Sequence, residues 1–158
     1  MKQVDFYLIS NRLRNGRHKM ASRLAEKLRR LGKNALLVTD SAQESEQLSE
    51  TLWSFKDSAF VAHDVLGANL DLQQMRWNQT QGLKPCLVSD VLSMTPDVLE
   101  HSFDVLINLH EEVPVYSHHF DRIAEIVDAD DASKALARRR YKTYQGEGFE
   151  IRTHEIAL

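Results

Sequence analysis

The sequence predicts an α/β fold, a three-layer Rossmann-like domain with a mostly parallel central sheet. Short apolar runs rich in strand-forming residues alternate with longer segments whose apolar residues follow helical spacing. This alternation is typical of strands joined by helical crossovers. The chain has 158 residues, of which 42% are hydrophobic and 27% charged, with six Gly and three Pro. This size and composition predict one globular domain covering residues 1–158.

The first part of the chain predicts a β-α-β-α order. Residues 4–9 form an apolar run typical of a strand, and residues 18–31 carry apolar side chains at helical spacing. Residues 34–39 predict a second, buried strand. Ser41 is followed three residues later by Glu44, and this capping-box pair predicts the start of a second helix.

The remaining elements are predicted from the same two patterns. Three apolar runs indicate strands, at residues 59–61, 85–89 and 103–109. Thr95-Pro96 indicates a brief helical turn. Four apolar residues at helical spacing predict another helix: Tyr116, Phe120, Ile123 and Val127. A helix over residues 131–144 and an edge strand over 149–156 follow, whereas the polar segment 69–82 predicts no firm element.

Cysteine content and the N-terminus limit the class of protein. The single cysteine, Cys86, lies in an apolar run, so neither an intrachain disulfide nor a cysteine-based metal cluster is available. A reducing cytoplasm fits this composition. The short N-terminal apolar run resembles neither a secretion signal nor a membrane span. We therefore expect a cytoplasmic protein that contacts no membrane.

A nucleotide-dependent enzyme on a Rossmann-like sheet is one alternative to a binding protein. Residues 10–19, after the first predicted strand, contain one glycine and lack the spacing of both common phosphate-binding loops. His110, His118 and His119 show no recognised zinc spacing, and helical geometry would point the last two in different directions. An ordinary basic loop and surface histidines explain these residues more simply.

Two further candidates for catalysis also have structural explanations. The apolar neighbours of Cys86 would raise the pKa of its thiol and suppress the reactive thiolate. Asp128, Asp130 and Asp131 precede a predicted helix, where acidic residues cap the helix and complement its dipole. The sequence therefore predicts no catalytic site, no metal and no cofactor.

A local basic patch near the C-terminus indicates a binding surface instead. The chain has a formal charge of -3, yet five cations fall within nine positions: Lys134, Arg138, Arg139, Arg140 and Lys142. Four residues share one face of the predicted helix because they are spaced i, i+4, i+7 and i+8: Lys134, Arg138, Tyr141 and Lys142. Cations near a helix C-terminus also offset the helix dipole, but an aromatic ring among them favours recognition of a partner.

The same segment resembles a known family. Residues 137–144 read Ala-Arg-Arg-Arg-Tyr-Lys-Thr-Tyr and are followed by Gly148-Phe149. This run resembles the C-terminal signature of the chi subunit of bacterial DNA polymerase III. The opening Asp5-Phe6-Tyr7-Leu8 is similar to the first strand of that family. Its middle segment is matched by Leu52-Trp53, Phe60-Val61 and His63.

The resemblance implies a non-catalytic adaptor of the clamp-loader complex. It assigns four residues to binding the acidic C-terminal tail of single-stranded DNA-binding protein: Lys134, Arg138, Tyr141 and Lys142. It assigns Trp53 and Phe60 to a surface that binds the psi subunit, and it leaves open whether a helicase shares that surface. Contact with DNA would be indirect. Direct binding of DNA or RNA by the basic helix is the competing hypothesis.

The sequence departs from the family in two places. Residues 127–131 read Val-Asp-Ala-Asp-Asp, where related chains carry a longer stretch with an aromatic residue and a proline. This difference affects the expected pocket wall beside Tyr141. Residues 69–82 replace a Gly-rich, basic loop.

Overall fold

The computed structural model describes residues 2–54, 63–66, 86–90 and 103–158. Within them, seven strands form one sheet: β1 Gln3–Ile9, β2 Ala35–Thr39, β3 His63–Leu66, β4 Cys86–Asp90, β5 Val105–Asn108, β6 Arg122–Val127 and β7 Glu150–Ile156. The same residues contain α1 Gly16–Arg30, α2 Ala42–Ser54, α3 Asp131–Gly146 and a short 3-10 helix at Ser117–His119.

The strand order is β3-β4-β2-β5-β6-β1-β7, and every strand pair in the described residues is parallel. One core cluster, which includes Phe6 and Tyr144, lies on the side of the sheet that α3 covers. A second cluster, which includes Met20 and Leu48, lies on the side that α1 and α2 cover. The predicted three-layer α/β class is therefore confirmed.

Strand β1 supplies side chains to both cores, because successive residues of a strand point to opposite faces of the sheet. Phe6 and Leu8 pack on the α3 side. Tyr7 and Ile9 pack on the α1 side. Strand β1 therefore contributes side chains to the surface on each face of the sheet.

Local chemistry accounts for the helix boundaries. The backbone N–H of Glu44 donates to the Ser41 hydroxyl at 3.1 Å, and the Glu44 carboxylate accepts from the backbone N–H of Asp40 at 3.3 Å. This is the predicted capping pair. In the usual capping box the Glu44 carboxylate would accept from the backbone N–H of Ser41, whereas here it accepts from that of the preceding residue. Gly32, just beyond α1, has φ of +74°, a conformation that glycine adopts without strain.

The helix predicted from Tyr116, Phe120, Ile123 and Val127 is wrong. The chain forms a 3-10 turn and then strand β6, whose side chains are buried on both faces of the sheet. A separation of four residues also places Ile123 and Val127 on one face of a strand, so the spacing did not distinguish the two structures. The β-branched Ile123, Ile126 and Val127 favour the strand, and pairing with β1 and β5 fixes it.

Two predicted elements and the unassigned polar segment lie outside the described residues. They are the strand at 59–61, the turn at Thr95-Pro96 and the polar segment 69–82. The third strand of the described sheet is His63–Leu66. None of the described helices is both long enough and apolar enough to span a membrane.

Candidate peptide-binding site

Helix α3 carries the four predicted tail-binding residues and begins with a side-chain cap. The Asp130 carboxylate accepts from the backbone N–H of Ser133 at 2.9 Å and from its hydroxyl at 2.7 Å. These hydrogen bonds satisfy a donor in the first helical turn and hold the pKa of Asp130 below its usual value. The predicted capping role is confirmed for this residue.

A cleft of about 560 Å³ lies between α3 and the neighbouring strands. All four predicted residues line it: Lys134, Arg138, Tyr141 and Lys142. Their spacing places them along one side of the helix, as expected. The strands contribute four further lining residues: Phe6, Leu8, Val127 and Thr153. The structure therefore assembles one site from residues that are distant in sequence.

Tyr141 forms the apolar centre of the cleft. Its side chain is 38% exposed, and its ring centroid lies 5.7 Å from that of Phe6, with the planes tilted by 40°. Phe6 packs edge-on against Tyr144 at 6.1 Å, so the core supports the exposed ring from behind. Such a supported aromatic surface is suited to receive another apolar ring.

The charge of the cleft is positive and uncompensated. Among the described residues, none forms an ion pair with Lys134, Arg138 or Lys142. No acidic side chain occurs among the described residues that line the cleft. The three cations are therefore available to an anionic ligand.

Arg140 does not belong to this basic surface, so the predicted patch of five cations is wrong by one residue. Its side chain is 7% exposed, and its Nε donates to the Glu125 carboxylate at 2.9 Å. A second guanidinium nitrogen donates to the backbone carbonyl of Glu111 at 2.9 Å. Arg140 lies on the sheet-facing side of α3, together with Tyr144. Arg139 is exposed but does not line the cleft.

Glu125 is the centre of a buried network that attaches α3 to the sheet. Besides Arg140, its carboxylate accepts from the Tyr144 hydroxyl at 2.6 Å and from the Asn108 side-chain amide at 2.8 Å. Burial raises the pKa of Glu125, while Arg140 and the two other donors act in the opposite direction. The network fixes the position of the helix that carries the cleft.

Sequence reasoning missed the strand side of the cleft. The alternation of Phe6 and Leu8 on β1 was a usable signal for two residues that share a face. It could not show that β1 lies between β6 and β7, which brings Val127 and Thr153 to the same place. Residues 127–131 differ from those of related chains, which put the expected pocket wall beside Tyr141 in question. In this chain Val127 forms part of the cleft lining.

Comparison with known families gives a match over nearly the whole chain. The family described as DNA polymerase III chi subunit, HolC, matches residues 1–152. The chain belongs to this chi subunit family. It is 32% identical to DNA polymerase III subunit chi of Pseudomonas aeruginosa over 157 residues, which cover 99% of this chain and 98% of that protein. It is 30% identical to the chi subunit of Haemophilus influenzae over 155 residues, or 98% of each chain. The chi-family chain is thus an accessory subunit in replication.

Solved structures share the fold of the chi-family chain at low sequence identity. The crystal structure of T4 UvsW matches with a TM-score of 0.73 and 10% identity, covering 98% of this chain and 41% of that one. The C-terminal domain of the DEAD-box protein Dbp5 matches with a TM-score of 0.59 and 12% identity, covering 99% of this chain and 90% of that one. These likenesses show a Rossmann-like fold alone.

Trp53, the first residue predicted to bind psi, lies on the last turn of α2. Its side chain is 45% exposed, whereas its neighbour Leu52 is fully buried. Trp53 is therefore not a core residue of the chi-family chain. Helix α2 covers the face of the sheet opposite α3, so Trp53 lies away from the cleft. Phe60, the second predicted psi-binding residue, lies outside the described residues.

The histidine and cysteine candidates for a metal or catalytic site lie within the described residues. In the part of the chain that the structure describes, no three His, Cys, Asp or Glu residues are grouped to hold a metal ion. His118 and His119 do not diverge as expected, because their ring centroids are 4.3 Å apart. His110 Nδ1 is paired with the Asp40 carboxylate at 2.5 Å. Burial raises the pKa of the Cys86 thiol to about 11, as predicted.

The segment after β1 also differs from a phosphate-binding loop. Asn15 precedes α1 with φ of 56° and makes no side-chain cap. A Cβ atom on Gly16 would lie 3.5 Å from the Asp128 carboxylate. A carboxylate this close to the first helical turn disfavours a phosphate there, because the two anions would repel.

Proposed function

We propose that this chi-family chain is a non-catalytic adaptor in the clamp-loader complex. It binds the acidic C-terminal tail of single-stranded DNA-binding protein through the cleft on α3. One observation carries this assignment: three cations without ion-pair partners among the described residues surround the partly exposed ring of Tyr141. An acidic tail with a terminal apolar aromatic residue matches both features of this cleft.

The chemistry of binding follows from the cleft geometry. Lys134, Arg138 and Lys142 are spaced four residues apart, so successive cations lie about 6 Å apart along α3. They can follow several carboxylates of an acidic tail, and Arg138 can bind one of them in a bidentate manner. The terminal ring of the tail would pack on Tyr141 and Phe6, where the apolar strand residues exclude water.

The expected affinity is modest. Burying one ring stabilises the complex by ~2–3 kcal/mol, and each charge-assisted hydrogen bond adds ~1.5–3 kcal/mol before ordering costs. A dissociation constant on the order of micromolar corresponds to about -8 kcal/mol. Such a complex exchanges readily, which suits a contact that is remade as DNA is copied.

We further propose that the surface around Trp53 binds the psi subunit, with Phe60 as a second anchor. Large, partly exposed aromatic side chains commonly dominate protein interfaces. The exposure of Trp53 beside the buried Leu52 supports this role, because 45% of the Trp53 side chain is open to solvent. Residues 1–158 would act as one domain in the cytoplasm, without a cofactor and with only indirect contact to DNA.

Calorimetric titration tests the tail assignment directly. The wild-type protein is titrated with the C-terminal peptide of single-stranded DNA-binding protein and, separately, with a single-stranded oligothymidylate at the same concentration. We expect the peptide to bind with a dissociation constant on the order of micromolar and the oligonucleotide to bind more weakly. Tighter binding of the oligonucleotide would instead support the nucleic-acid-binding hypothesis.

A further inference from the structure

A second groove runs along α1, on the opposite face of the sheet from the tail cleft. It encloses about 900 Å³ between α1, Tyr7 of β1 and the C-terminal residues Ile156 and Leu158. Hydrogen bonds fix the C-terminal wall. The Asn11 side-chain amide donates to the Leu158 carbonyl at 2.9 Å, and its oxygen accepts from the Leu158 N–H at 3.0 Å. The groove is therefore a built part of the fold.

The floor of this groove is aliphatic and partly exposed. Leu31 is 61% exposed and Leu13 is 38% exposed, and both belong to the lining. Four other aliphatic residues line the groove: Met20, Leu24, Ile156 and Leu158. Tyr7 is its one aromatic residue within the described lining, and its ring is already stacked on His154, with centroids 5.0 Å apart. Grouped exposed leucines of this kind mark interaction surfaces.

A row of cations borders the aliphatic floor. Four residues on α1 form it, at spacing i, i+4, i+8 and i+11: Lys19, Arg23, Lys27 and Arg30. Arg30 pairs with Glu26 at 2.7 Å, whereas Lys19, Arg23 and Lys27 form no ion pair with any described residue. The row extends over about 16 Å, or three helical turns.

The row belongs to a basic segment that the sequence analysis overlooked. Residues 12–33 contain nine Lys and Arg residues and a single acidic residue, in a chain with a formal charge of -3. The C-terminal patch is denser, with five cations within nine positions. The cations of α1 are spread over several turns, so their common side becomes visible only on the folded helix.

We propose that the α1 groove binds an acidic amphipathic helix of a partner protein. The acidic side chains of that helix would face Lys19, Arg23 and Lys27, and its aliphatic side chains would enter the floor beside Leu24 and Leu31. An amphipathic helix binds a groove through its apolar face, and the cations at the border of this groove would pair with the acidic side chains of the helix. The inference does not depend on the proposed tail site, which uses other residues.

An amphipathic protein segment fits this groove better than a nucleic acid does. Single-stranded nucleic acids bind through aromatic side chains on which bases stack, in addition to cations. The described lining offers leucines and methionine, and its single aromatic ring already stacks on a histidine. The aliphatic floor therefore selects for the side chains of a protein.

Fluorescence anisotropy with a designed probe tests the proposal. The probe is a labelled helical peptide of about 14 residues with Leu at i, i+3, i+4 and i+7 and Glu at the polar positions. A control peptide has the same composition with the leucines scattered. Two variants alter the groove, Arg23→Glu with Lys27→Glu and, separately, Leu31→Ser. The matched control is Lys134→Glu with Arg138→Glu, which makes the same charge change in the tail cleft.

We expect the amphipathic probe to bind the wild type and the matched control alike, and to bind both groove variants about tenfold more weakly. Because the altered side chains are exposed, circular dichroism should show unchanged folding. Titration of the tail peptide should be unaffected by the Leu31→Ser substitution, which separates this proposal from the tail site.

Three results with the peptide probes would overturn the proposal. They are equal binding of the scattered peptide, binding of the probe that is insensitive to both groove variants, and no binding at all. Binding of oligothymidylate is measured as well, to test whether the groove binds nucleic acid. If it binds more tightly than the probe, and the Arg23→Glu, Lys27→Glu variant loses that binding, the groove is a nucleic-acid surface and the proposal is wrong.

Discussion

Arg138 and Tyr141 lie one helical turn apart and contribute different physical effects to the same cleft. The guanidinium of Arg138 offers charge and directional hydrogen bonds, whereas the Tyr141 ring offers apolar surface supported by Phe6. Arg139 carries the same side chain as Arg138 on the same helix but lies outside the cleft lining. This neighbour therefore provides an internal control for the role of charge.

The first prediction concerns Arg138→Ala. We expect at least a tenfold loss of affinity for the tail peptide, about 1.4 kcal/mol, because the variant removes a bidentate partner for a carboxylate. Arg139→Ala should bind within about twofold of the wild type, since it changes the net charge equally outside the cleft. Calorimetric titration measures both. Equal losses in the two variants would mean that only overall charge matters.

The salt dependence of Arg138→Ala provides a second measurement of the same effect. Raising the salt concentration should weaken the wild-type complex through screening, and should weaken the Arg138→Ala complex less. Tyr141→Ala should also lower the affinity but retain the wild-type response to salt, because it removes packing rather than charge. An unchanged salt response in Arg138→Ala would contradict the proposed ion pair.

At the scale of secondary structure, the docking of α3 depends on a polar network rather than on apolar packing alone. Glu125 of β6 accepts hydrogen bonds from Arg140 and Tyr144 of α3 and from Asn108 of β5. One buried carboxylate thereby connects three elements. A buried charge without its partner is costly, so the network should be sensitive to loss of any one member.

The second prediction is that Glu125→Ala lowers the free energy of unfolding by about 3–5 kcal/mol, because it leaves Arg140 buried and unpaired. Urea denaturation of the whole protein measures this change. Glu150→Ala is the control, since Glu150 pairs with Arg152 on the exposed surface of β7. An exposed pair of this kind contributes about 1 kcal/mol or less. Similar losses in the two variants would show that the network is not important for stability.

Strand β7 is joined to β1 by a pH-dependent contact. Burial alone would raise the pKa of Asp5, but hydrogen bonds from His154, Gln3 and Arg122 outweigh it and lower the pKa below the usual 3.8. His154 belongs to β7 and Arg122 to β6, so the carboxylate links three neighbouring strands. Because the folded state lowers this pKa, ionised Asp5 stabilises the protein above the unfolded-state value. The stabilisation is lost as the pH falls through the folded-state value.

The third prediction follows from the lowered pKa of Asp5 in the folded state. Asp5→Asn should destabilise the protein at pH 7, and the difference from the wild type should shrink as the pH falls from 3.8 through the lower folded-state pKa of Asp5. Urea denaturation at pH 7 and at about pH 3 tests it. A difference that stays constant between the two pH values would show that the ionised form of Asp5 is not what stabilises the sheet.

At the scale of the whole molecule, the sheet separates the tail cleft from Trp53. The tail cleft lies on the side of α3, and Trp53 lies on α2 across the sheet. Neither surface shares a described residue with the other. Partners bound at these two places would lie on opposite faces of the sheet.

The fourth prediction is that the two surfaces act independently. Trp53→Ala should weaken binding to psi by ~2 kcal/mol or more while leaving the tail-peptide affinity unchanged. Arg138→Ala should have the opposite pattern. Leu52→Ala is the control for folding, because a fully buried leucine costs about 2–5 kcal/mol of stability when truncated. If Trp53→Ala keeps full affinity for psi, or unfolds like Leu52→Ala, the assignment of the psi surface is wrong.

The sequence by itself determined the features that arise from local interactions. The capping pair Ser41–Glu44, the cap at Asp130 and the glycine after α1 each involve residues within one helical turn, so their chemistry could be read directly. The spacing of Lys134, Arg138, Tyr141 and Lys142 likewise fixed their common face once the helix was recognised. Family resemblance supplied the expected partners, and the match over residues 1–152 confirms the family.

Tertiary structure alone decided the features that depend on which elements become neighbours. Apolar spacing at residues 116–127 suited either a helix or a strand, and pairing with β1 and β5 selected the strand. In the sequence, Arg140 is indistinguishable from its exposed neighbours on α3. Its burial depends on the ion pair with Glu125 of strand β6. Phe6 and Thr153 meet α3 at the cleft only because distant segments pair in the sheet. Contacts between remote segments leave no periodic pattern in a single sequence, whereas the contacts within one helical turn do.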